Sequence, residues 1–488
     1  MPTLRKKAML IYPPGKLYQR GEDRCQGNIE DSSATAMRAC NDLGYCAAVL
    51  EKLNYDIFLK DYQTENKNIG HVNKDLMDFR PNIVMLSVTN ATIFSDIEFT
   101  KHIKTQIDTI IVLKGAIFYD ADEVLLSMLD LSEVDYLIGG EAEVSIAGIA
   151  EYALGREGDI EAVDNIFYKN NDGVFCKTQF YRWHDDLDEI PFPARKYMNN
   201  SLYTRPDTNE AMATIQVSRG CAAGCIYCLS PTISGKKIRY RSPENVLLEM
   251  EECYNVHGIK NFFFRADTFT MNAEWVDKLC SMINNSPLKG KIQFTANSRV
   301  YPLKEETLFI MKETGCFLIA FGFESGSQET LKRIKKGTTV NQNLQAAQWA
   351  KKAKIPIYGF YMIGFPWETK EDLAILKKHI FEINADFIEI HIALPYHGTE
   401  LYNLCKQSGT LGDKIVGNDY FNPNMKGTEY LTMTELLDFR KKTMSEYYLR
   451  VSYILCRLAD CLKKPRKLFN YAKYGLHIIK STVLGKRV

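Results

Sequence analysis

Short apolar runs alternate with longer amphipathic segments over residues 1–155. The apolar runs predict strands, at 8–12, 55–59, 82–88, 109–113 and 134–138. The amphipathic segments predict helices, near 34–53, 71–79, 95–106, 120–129 and 141–153. Apolar strands that are separated by helices are typical of a parallel sheet covered on both faces. We therefore predict a doubly wound, Rossmann-like α/β domain, which would bind its ligand at the carboxyl ends of its strands.

This alternation stops over residues 156–210. The sequence Asn-Asn-Asp-Gly at 170–173 stands between two runs that contain aromatic residues, which is typical of a β-hairpin turn. Pro191 and Pro193 then interrupt the chain. We predict a connector that contains one hairpin.

A second series of strand and helix patterns occupies residues 211–405. Strands are predicted at 213–217, 261–265, 291–296, 317–323, 356–362 and 387–394, with helices between them. Six such units after a fresh start indicate a partial (β/α)6 barrel of the TIM type, with its reactive face at the carboxyl ends of the strands. Residues 406–488 predict a helical C-terminal region.

Charge and hydropathy exclude several classes of protein. The chain has 488 residues, and its 61 Lys and Arg nearly balance its 60 Asp and Glu, so the formal net charge is +1. Binding to nucleic acid through a general positive charge is therefore not expected. No apolar stretch approaches the roughly 20 residues of a membrane-spanning helix, and the N-terminus has no signal-peptide pattern. We expect a cytoplasmic protein.

The C-terminal region departs from this overall neutrality. Residues 428–488 hold 13 Lys and Arg against 5 Asp and Glu. A basic amphipathic tail of this kind can contact an acidic lipid surface or an acidic partner. The alternative is a helical cap on the barrel whose basic face lies in solvent.

Three cysteines directly after the first predicted barrel strand form the sharpest chemical pattern. The chain has 13 cysteines, an odd number without a secretion signal, which favours a reducing compartment. Cys221, Cys225 and Cys228 lie within eight residues. A cubane iron–sulfur cluster normally takes four thiolates, so three would leave one iron open to a small molecule. A structural zinc ion needs four ligands, and the next cysteine, Cys253, is 25 residues further on.

Two glycines frame this loop. Gly220 and Gly224 would allow the backbone to pass closely around a bulky inorganic group. A zinc site and a chance cluster of cysteines remain as weaker alternatives.

The CxxxCxxC spacing at the end of a first barrel strand resembles the radical S-adenosylmethionine superfamily. The resemblance implies that the three cysteines hold a [4Fe–4S] cluster whose open iron chelates S-adenosylmethionine. Reductive cleavage would give a 5′-deoxyadenosyl radical that abstracts hydrogen from a small-molecule substrate. It also implies an external electron donor such as flavodoxin or ferredoxin. Tyr227 stands where this superfamily has an aromatic neighbour of the adenine.

Further segments at successive strand ends look like the cofactor-binding segments of the superfamily. Asp267 follows the second strand and is similar in place to an acidic contact near the methionine amino group. Glu324 and Ser325 follow the fourth strand, in a stretch that resembles the one approaching the ribose and methionine. Gly359 and Gly364 belong to a segment that looks like the adenine-side GxIxGxxE pattern. The resemblance assigns no catalytic residue beyond these cofactor contacts.

The whole of residues 8–405 resembles one subgroup, in which a cobalamin-binding domain precedes the radical S-adenosylmethionine barrel. The subgroup includes the class B methyltransferases. The segments 12–14, 43–50, 135–141 and 186–195 stand where the subgroup has characteristic sequences. The resemblance implies cobalamin as a further cofactor and C-methylation of a metabolite, with two S-adenosylmethionines consumed for each product.

Two departures from the subgroup keep other reactions open. Lys114 and Gly115 followed by Ala116 replace the usual Gly-Gly-Pro, and the loop 19–26 after the first strand is unusually charged. A DxHxxG motif, which would supply a histidine to cobalt, is absent, although many members bind cobalamin without it. One alternative is a cobalamin-free deoxygenase, dehydratase or rearranging enzyme that acts on a sugar-like or other polar metabolite. Another is an iron–sulfur protein for electron transfer or sensing.

Overall fold

In the computed structural model, the described residues are 6–463 without 22–26, 30, 31, 33–36, 120, 156–158, 181, 414, 415, 422 and 424. The first sheet has seven strands in the order β2-β1-β3-β4-β5-β6-β7. Its five parallel strands are β1 (Lys7–Tyr12), β2 (Asp56–Asp61), β3 (Ile83–Ser87), β4 (Ile110–Lys114) and β5 (Tyr136–Ile138). The helices that follow them are α1 (Asn41–Lys52), α2 (Ile69–Phe79), α3 (Ile93–Gln106), α4 (Glu123–Ser127) and α5 (Ala142–Ala153).

Alternate residues of each strand supply two separate cores, one on each face of this sheet. Along β1, Ala8 and Leu10 belong to the core beneath α1 and α5, whereas Met9 and Ile11 belong to the core beneath α2 and α3. Successive side chains of a strand point to opposite faces, so a strand that is apolar throughout must be covered on both. The predicted doubly wound domain is confirmed, and its strands lie within two residues of the predicted positions.

The first predicted helix is wrong at its N-terminus. It was expected from residue 34, but α1 begins at Asn41, and residues 37–40 are not helical. This stretch instead reaches the second sheet, where the Arg38 guanidinium lies 4.1 Å from the centre of the Phe263 ring. The Asn41 side chain donates a hydrogen bond to the Thr214 carbonyl at 2.6 Å. Contacts between the domains therefore override the helical pattern of residues 37–40.

The predicted hairpin forms and lengthens the first sheet. Its strands are β6 (Ile166–Lys169) and β7 (Phe175–Lys177), and β6 pairs antiparallel with β5. In the turn, the Asn170 side chain accepts hydrogen bonds from the backbone N–H groups of Asp172 and Val174. The domain boundaries that were assigned from the sequence stay predictions.

The second sheet contains six parallel strands in the order β15-β14-β13-β12-β11-β8. In chain order they are β8 (Met212–Gln216), β11 (Asn261–Arg265), β12 (Gln293–Ser298), β13 (Cys316–Glu324), β14 (Ile357–Ile363) and β15 (Phe387–Ile392). A small antiparallel pair, β9 (Ser218–Arg219) and β10 (Arg239–Tyr240), flanks the loop after β8. The sequential parallel order confirms the predicted TIM-type arrangement of six units, with β8 and β15 as the edges of the described sheet.

Among the described residues, eight α-helices lie between the strands of the second sheet or follow the last of them. They are α6 (Ser230–Ser234), α7 (Pro243–Asn255), α8 (Ala273–Asn284), α9 (Glu305–Thr314), α10 (Gln328–Arg333), α11 (Val340–Lys352), α12 (Lys370–Ile383) and α13 (Glu400–Gln407). Two C-terminal helices follow, α14 (Met433–Tyr448) and α15 (Val451–Lys463). Residues 464–488 lie outside the described residues. Within residues 6–463 as described, none of the helices combines the length and the apolar character that crossing a membrane requires.

Buried ion pairs join the two sheets. Arg239, in β10, donates to both carboxylate oxygens of Glu141 at 2.7 and 3.1 Å. Arg219, in β9, contacts Glu141 at 3.3 Å and also pairs with Glu143. Burial alone would raise the pKa of Glu141, but Arg219 and Arg239 hold it below its ordinary value. Breaking one partner of such a buried pair leaves an uncompensated charge, so these contacts fix one domain against the other.

Candidate functional site

The cysteine loop begins at Gly220, directly after β9. Gly220 has φ of +95°, in the region that only glycine adopts readily. The Cys221 N–H donates to the Gly235 carbonyl at 3.0 Å, which closes the loop against the end of α6. Cys221 is buried, whereas Cys225 and Cys228 are half-buried. The three thiols therefore lie on one closed loop at the carboxyl end of β8.

Two of the sulfur atoms receive hydrogen bonds. The Arg299 guanidinium, at the end of β12, donates to Cys225 Sγ at 3.6 Å. The Ser230 backbone N–H, at the start of α6, donates to Cys228 Sγ at 3.4 Å. Donors of this kind stabilise thiolates over thiols and adjust the potential of a bound cluster. Among the residues that the structure describes, no three His, Cys, Asp or Glu side chains are arranged to hold a single metal ion.

The two glycines of this loop are not equivalent. A Cβ at Gly220 would collide with the Lys237 carbonyl, whereas a Cβ at Gly224 would have no atom within 4 Å. Gly224 also lacks a positive φ. The expectation that both glycines permit close wrapping therefore has a packing reason only at Gly220.

We expect Gly220→Ala to lose most of the iron that the wild-type protein binds. The substitution adds a collision to a left-handed conformation, and a strained backbone of this kind costs about 1–3 kcal/mol. Gly224→Ala is the matched control, because it introduces the same methyl group into the same loop and should keep its iron. The measurement is iron and acid-labile sulfide per chain after anaerobic reconstitution. Equal iron in the two variants would contradict the assignment.

Glu324 ends β13 in a buried ion pair. Its Oε1 lies 2.6 Å from Nζ of Lys336, and the two side chains are 8% and 6% exposed. Glu324 has φ of +62°, and the pairing of β13 with β14 shifts register beside it. A Cβ at Gly322 would stand 2.5 Å from the Glu324 carboxylate, so the small residue two positions earlier makes room for the pair. The bulge thus aims a carboxylate at the barrel mouth.

Ser325 follows Glu324 but uses its hydroxyl locally. Its Oγ accepts a hydrogen bond from the Ser327 N–H at 3.1 Å, just before α10. Its carbonyl lies 3.4 Å from the Asn343 amide nitrogen, which also contacts the Phe323 carbonyl. This network holds the turn after β13, and a role of Ser325 in binding a cofactor stays a prediction.

An aromatic surface lies beside the cysteine loop. The rings of Tyr227 and Phe365 are 6.0 Å apart, and Phe365 stacks on Trp367 at 5.4 Å. Burial raises the pKa of the Tyr227 phenol well above its ordinary value, and the nearby Glu324 and Cys225 raise it further. The structure thus brings Tyr227 together with the end of β13 and the turn after β14.

That turn after β14 begins at Gly364, with φ of +92°. The Glu368 carboxylate accepts hydrogen bonds from the backbone N–H groups of Gly364 and Phe365, at 2.6 and 3.1 Å. Burial raises the pKa of Glu368 to about 8. Glu368 closes this turn from within, so the last residue of the GxIxGxxE-like pattern shapes the loop.

The Cβ position of Gly359 points into the core of the barrel domain. A Cβ on it would stand 3.1 to 3.2 Å from the rings of Tyr361 and Phe323. Both rings belong to the core between the sheet and its helices. Close packing of that core accounts for a glycine here, and contact with a cofactor stays a prediction.

Asp267 lies on the wall of a chamber between the two sheets. The chamber is lined from the barrel side by Gln216, Arg219, Arg265 and Asp267. From the first sheet it is lined by residues at the carboxyl ends of the strands, among them Asp42, Tyr45, Lys114, Tyr119 and Gly140. None of the described residues that line it is a histidine. Both domains therefore contribute to one polar chamber.

Lys114, which stands where the subgroup usually has a glycine, lies in this chamber and pairs with Asp42. Their Nζ and Oδ2 atoms are 3.4 Å apart. Tyr12 and Ser87 each donate to Asp42 at 2.6 Å. Burial alone would raise the pKa of Asp42, but Lys114 and these hydrogen bonds hold it below its ordinary value. The edge of the first sheet thus carries a fixed, charged wall.

The loop 19–26 is described only in part. Arg20 is buried and makes a two-pronged pair with Asp96, at 2.7 and 3.0 Å. It also donates to the Ser87 carbonyl at 2.9 Å. Arg20 therefore makes its contacts in the interior of the first domain. Residues 22–26, including Cys25, lie outside the described residues.

An apolar contact closes the first domain over the cysteine loop. Ala116 and Tyr119, which follow β4, pack with Leu229 and Ile233 at α6 and with Tyr396 beyond β15. This cluster joins the first sheet, the segment after Cys228 and the last barrel strand.

The sequence patterns did not reveal Lys336 and Arg299. Lys336 follows α10, and its pairing with Glu324 depends on the bulge in β13. Arg299 stands directly after β12, so the rule that ligands gather at strand ends could have indicated it. Neither residue belongs to a motif.

Comparisons with known proteins agree with this geometry. A family model described as the radical SAM superfamily matches residues 215–380. The chain is 27% identical over 419 residues to an uncharacterized methyltransferase of Pyrococcus horikoshii, covering 85% of this chain and 88% of that one. It is 25% identical over 462 residues to cytidylyl-2-hydroxyethylphosphonate methyltransferase of Streptomyces wedmorensis, covering 83% and 82%.

Solved structures share the fold across both domains. The cobalamin-dependent S-adenosylmethionine radical enzyme OxsB matches with a TM-score of 0.72 and 16% identity, over 99% of this chain and 72% of that one. The radical S-adenosylmethionine methyltransferase TsrM from Kitasatospora setae matches with a TM-score of 0.65 and 15% identity, over 84% and 76%. The TsrM structure contains cobalamin and a [4Fe–4S] cluster.

Proposed function

We propose that this chain, which carries a radical S-adenosylmethionine domain and is an enzyme of that kind, is a cobalamin-dependent methyltransferase of a small molecule. One observation carries the proposal. The carboxyl ends of the first two barrel strands, the helix α6 that follows the cysteine loop and the ligand edge of the first sheet line one polar chamber. A cysteine loop whose following helix borders a chamber between the two sheets suits a reaction in which two cofactors act on one substrate.

The cysteine loop supports the first part of the proposal. Cys221, Cys225 and Cys228 would hold the [4Fe–4S] cluster, with the Arg299 and Ser230 N–H groups stabilising the sulfur atoms. An external donor such as flavodoxin or ferredoxin would supply the electron that reduces the cluster. When bound, the cluster and S-adenosylmethionine supply a 5′-deoxyadenosyl radical, and cobalamin supplies the methyl group.

The polar residues around the barrel mouth would orient S-adenosylmethionine. The carboxylates of Asp267 and Glu324 suit the amino and ribose groups, and the Tyr227 and Phe365 rings offer a flat apolar surface for adenine. Gly364 lets the turn after β14 approach from the other side. In this proposal the protein contributes binding, orientation and exclusion of water, while the cofactors carry the chemistry.

The first-sheet side of the chamber supports the cobalamin part. It lies at the carboxyl ends of parallel strands, where doubly wound domains bind their cofactors. Tyr45, Tyr119 and the backbone at Gly140 would contact the cofactor, and Lys114 would provide a polar neighbour. None of the described lining residues is a histidine, so Tyr45, Tyr119 and the backbone at Gly140 are the groups of this wall that would hold cobalamin.

One observation favours a second candidate function. The Lys114–Asp42 pair and its bonds from Tyr12 and Ser87 already fill part of the cofactor edge with buried charge. Such a wall also suits a polar metabolite. The second candidate is a cobalamin-free deoxygenase, dehydratase or rearranging enzyme in which the substrate occupies this edge.

The two candidates differ in their products. The protein would be reconstituted anaerobically with iron and sulfide, with and without cobalamin, then reduced in the presence of S-adenosylmethionine. We expect cobalamin to remain bound through gel filtration, and we expect both 5′-deoxyadenosine and S-adenosylhomocysteine to form. S-adenosylhomocysteine should require cobalamin, whereas 5′-deoxyadenosine should require only the cluster.

Each other outcome has a definite meaning. Formation of 5′-deoxyadenosine alone, with no retention of cobalamin, would replace the methyltransferase by the second candidate. Formation of neither product by a protein with a full complement of iron would remove both candidates and leave an electron-transfer or sensor protein.

A further inference from the structure

The outer face of α15 is apolar. Its exposed side chains include Val451 at 73%, Leu455 at 61% and Leu462 at 85% exposure, together with Ile454 and Leu458. These positions recur every three or four residues, so they form one stripe along the helix. Scattered exposed apolar residues are normal on proteins, but a continuous stripe marks an interaction surface.

The opposite face of α15 attaches to the barrel through polar groups. Arg457 pairs with the Asp386 carboxylate at 2.9 Å, and the Tyr453 hydroxyl donates to the Asp386 carbonyl at 2.9 Å. An ordinary surface helix buries its leucines and presents its charges to water. Here the arrangement is reversed, since α15 directs its arginine toward the body of the protein and its leucines outward. Docking onto the barrel therefore does not account for the leucines.

The sequence that follows α15 indicates what the stripe binds. Residues 464–488 contain seven Lys and Arg and no Asp or Glu. Apolar side chains next to a cluster of positive charge are the combination that holds amphipathic segments at the surface of anionic membranes. A second copy of the chain would carry the same basic C-terminal sequence and so bring like charges together, and an acidic protein would not require the leucines.

We propose that the outer face of α15 binds an anionic phospholipid surface, with its leucines in the interfacial region; the positive charge of the sequence after α15 favours anionic over neutral lipid. This inference is independent of the reaction and of the second cofactor. It accounts for the apolar stripe and for the basic C-terminus, which the barrel and the chamber leave unexplained.

The test is cosedimentation of the full chain with vesicles. One set of vesicles contains phosphatidylglycerol and phosphatidylcholine in equal amounts, and the other contains phosphatidylcholine alone. We expect binding to the first set, and we expect Leu455→Gln/Leu458→Gln to weaken that binding about tenfold. Leu248→Gln is the matched control, because Leu248 is 58% exposed on α7, far along the chain from this stripe. Glutamine keeps helix propensity, and circular dichroism would check that each variant is folded.

The remaining outcomes overturn the inference. They are absence of binding to the anionic vesicles, equal binding to both sets, and equal loss in the two variants. Sedimentation velocity without vesicles tests whether a second copy of the chain binds the stripe instead. A concentration-dependent dimer that Leu455→Gln/Leu458→Gln abolishes, without any binding to vesicles, would assign the stripe to self-association.

Discussion

Cys225→Ala is expected to abolish both cluster binding and reductive cleavage of S-adenosylmethionine. A cubane held by only three thiolates has none to spare, since its fourth iron is left for the substrate molecule. The substitution also leaves the Arg299 guanidinium beside the cluster position without the sulfur that it contacts at 3.6 Å. In this variant the positive charge of Arg299 has no sulfur anion beside it, which further destabilises the half-buried loop.

The measurement combines iron and sulfide content, visible absorption and formation of 5′-deoxyadenosine after anaerobic reconstitution. Cys176→Ala is the control, because Cys176 lies half-buried in β7 of the first sheet and has no place in the proposed site. The control should match the wild type in all three quantities. Full iron and turnover in Cys225→Ala would end the assignment of this loop to a cluster.

Glu324→Gln is expected to destabilise the protein and to impair its use of S-adenosylmethionine, while iron content stays unchanged. The amide keeps the shape of the side chain, but it leaves the Lys336 ammonium buried without a counter-charge. Removing one partner of a buried ion pair costs about 3–5 kcal/mol of unfolding free energy. The cysteines lie on a different loop, and Glu324 supplies none of the proposed iron ligands.

A second variant separates stability from binding. Glu324→Gln/Lys336→Met removes both charges, and replacing a whole buried pair is often neutral or stabilising. We expect thermal stability to return in the double variant. We expect binding of S-adenosylmethionine, measured by equilibrium dialysis on the cluster-loaded protein, to stay at least about tenfold weaker, as loss of a charged hydrogen bond implies. Recovery of binding together with stability would make Glu324 a structural residue only.

The amino-acid sequence reveals more about the proposed site in the barrel than about the site in the first domain. The cysteine loop and the strand ends of the barrel were located from motifs, because an iron–sulfur cluster demands a particular ligand type at a short spacing. The chamber wall on the first-sheet side has no such signature. Asp42 and Lys114 are 72 residues apart, and their pairing depends on β1, β3 and β4 lying side by side.

The glycine and helix patterns each led to one incorrect prediction, because the contact that decides the outcome comes from elsewhere in the chain. Gly220 and Gly224 look alike in the sequence, but only Gly220 meets a neighbouring carbonyl, which comes from Lys237 across the loop. Residues 37–40 continue a helical pattern, yet Arg38 lies over Phe263 of the second sheet. In both cases the deciding atom belongs to a distant segment.

The amino-acid sequence by itself determined the order of strands and helices, the two α/β units and the position of three thiols on one loop. Hydrophobic periodicity and ligand spacing are local properties, so a single chain states them directly. Only the tertiary structure decided which charges meet: Glu324 with Lys336, Arg219 with Glu143, Lys114 with Asp42. It also decided that α15 turns its leucines outward. Ion pairing and burial depend on distances in space between residues that are far apart in the chain, and no pattern along the chain contains those distances.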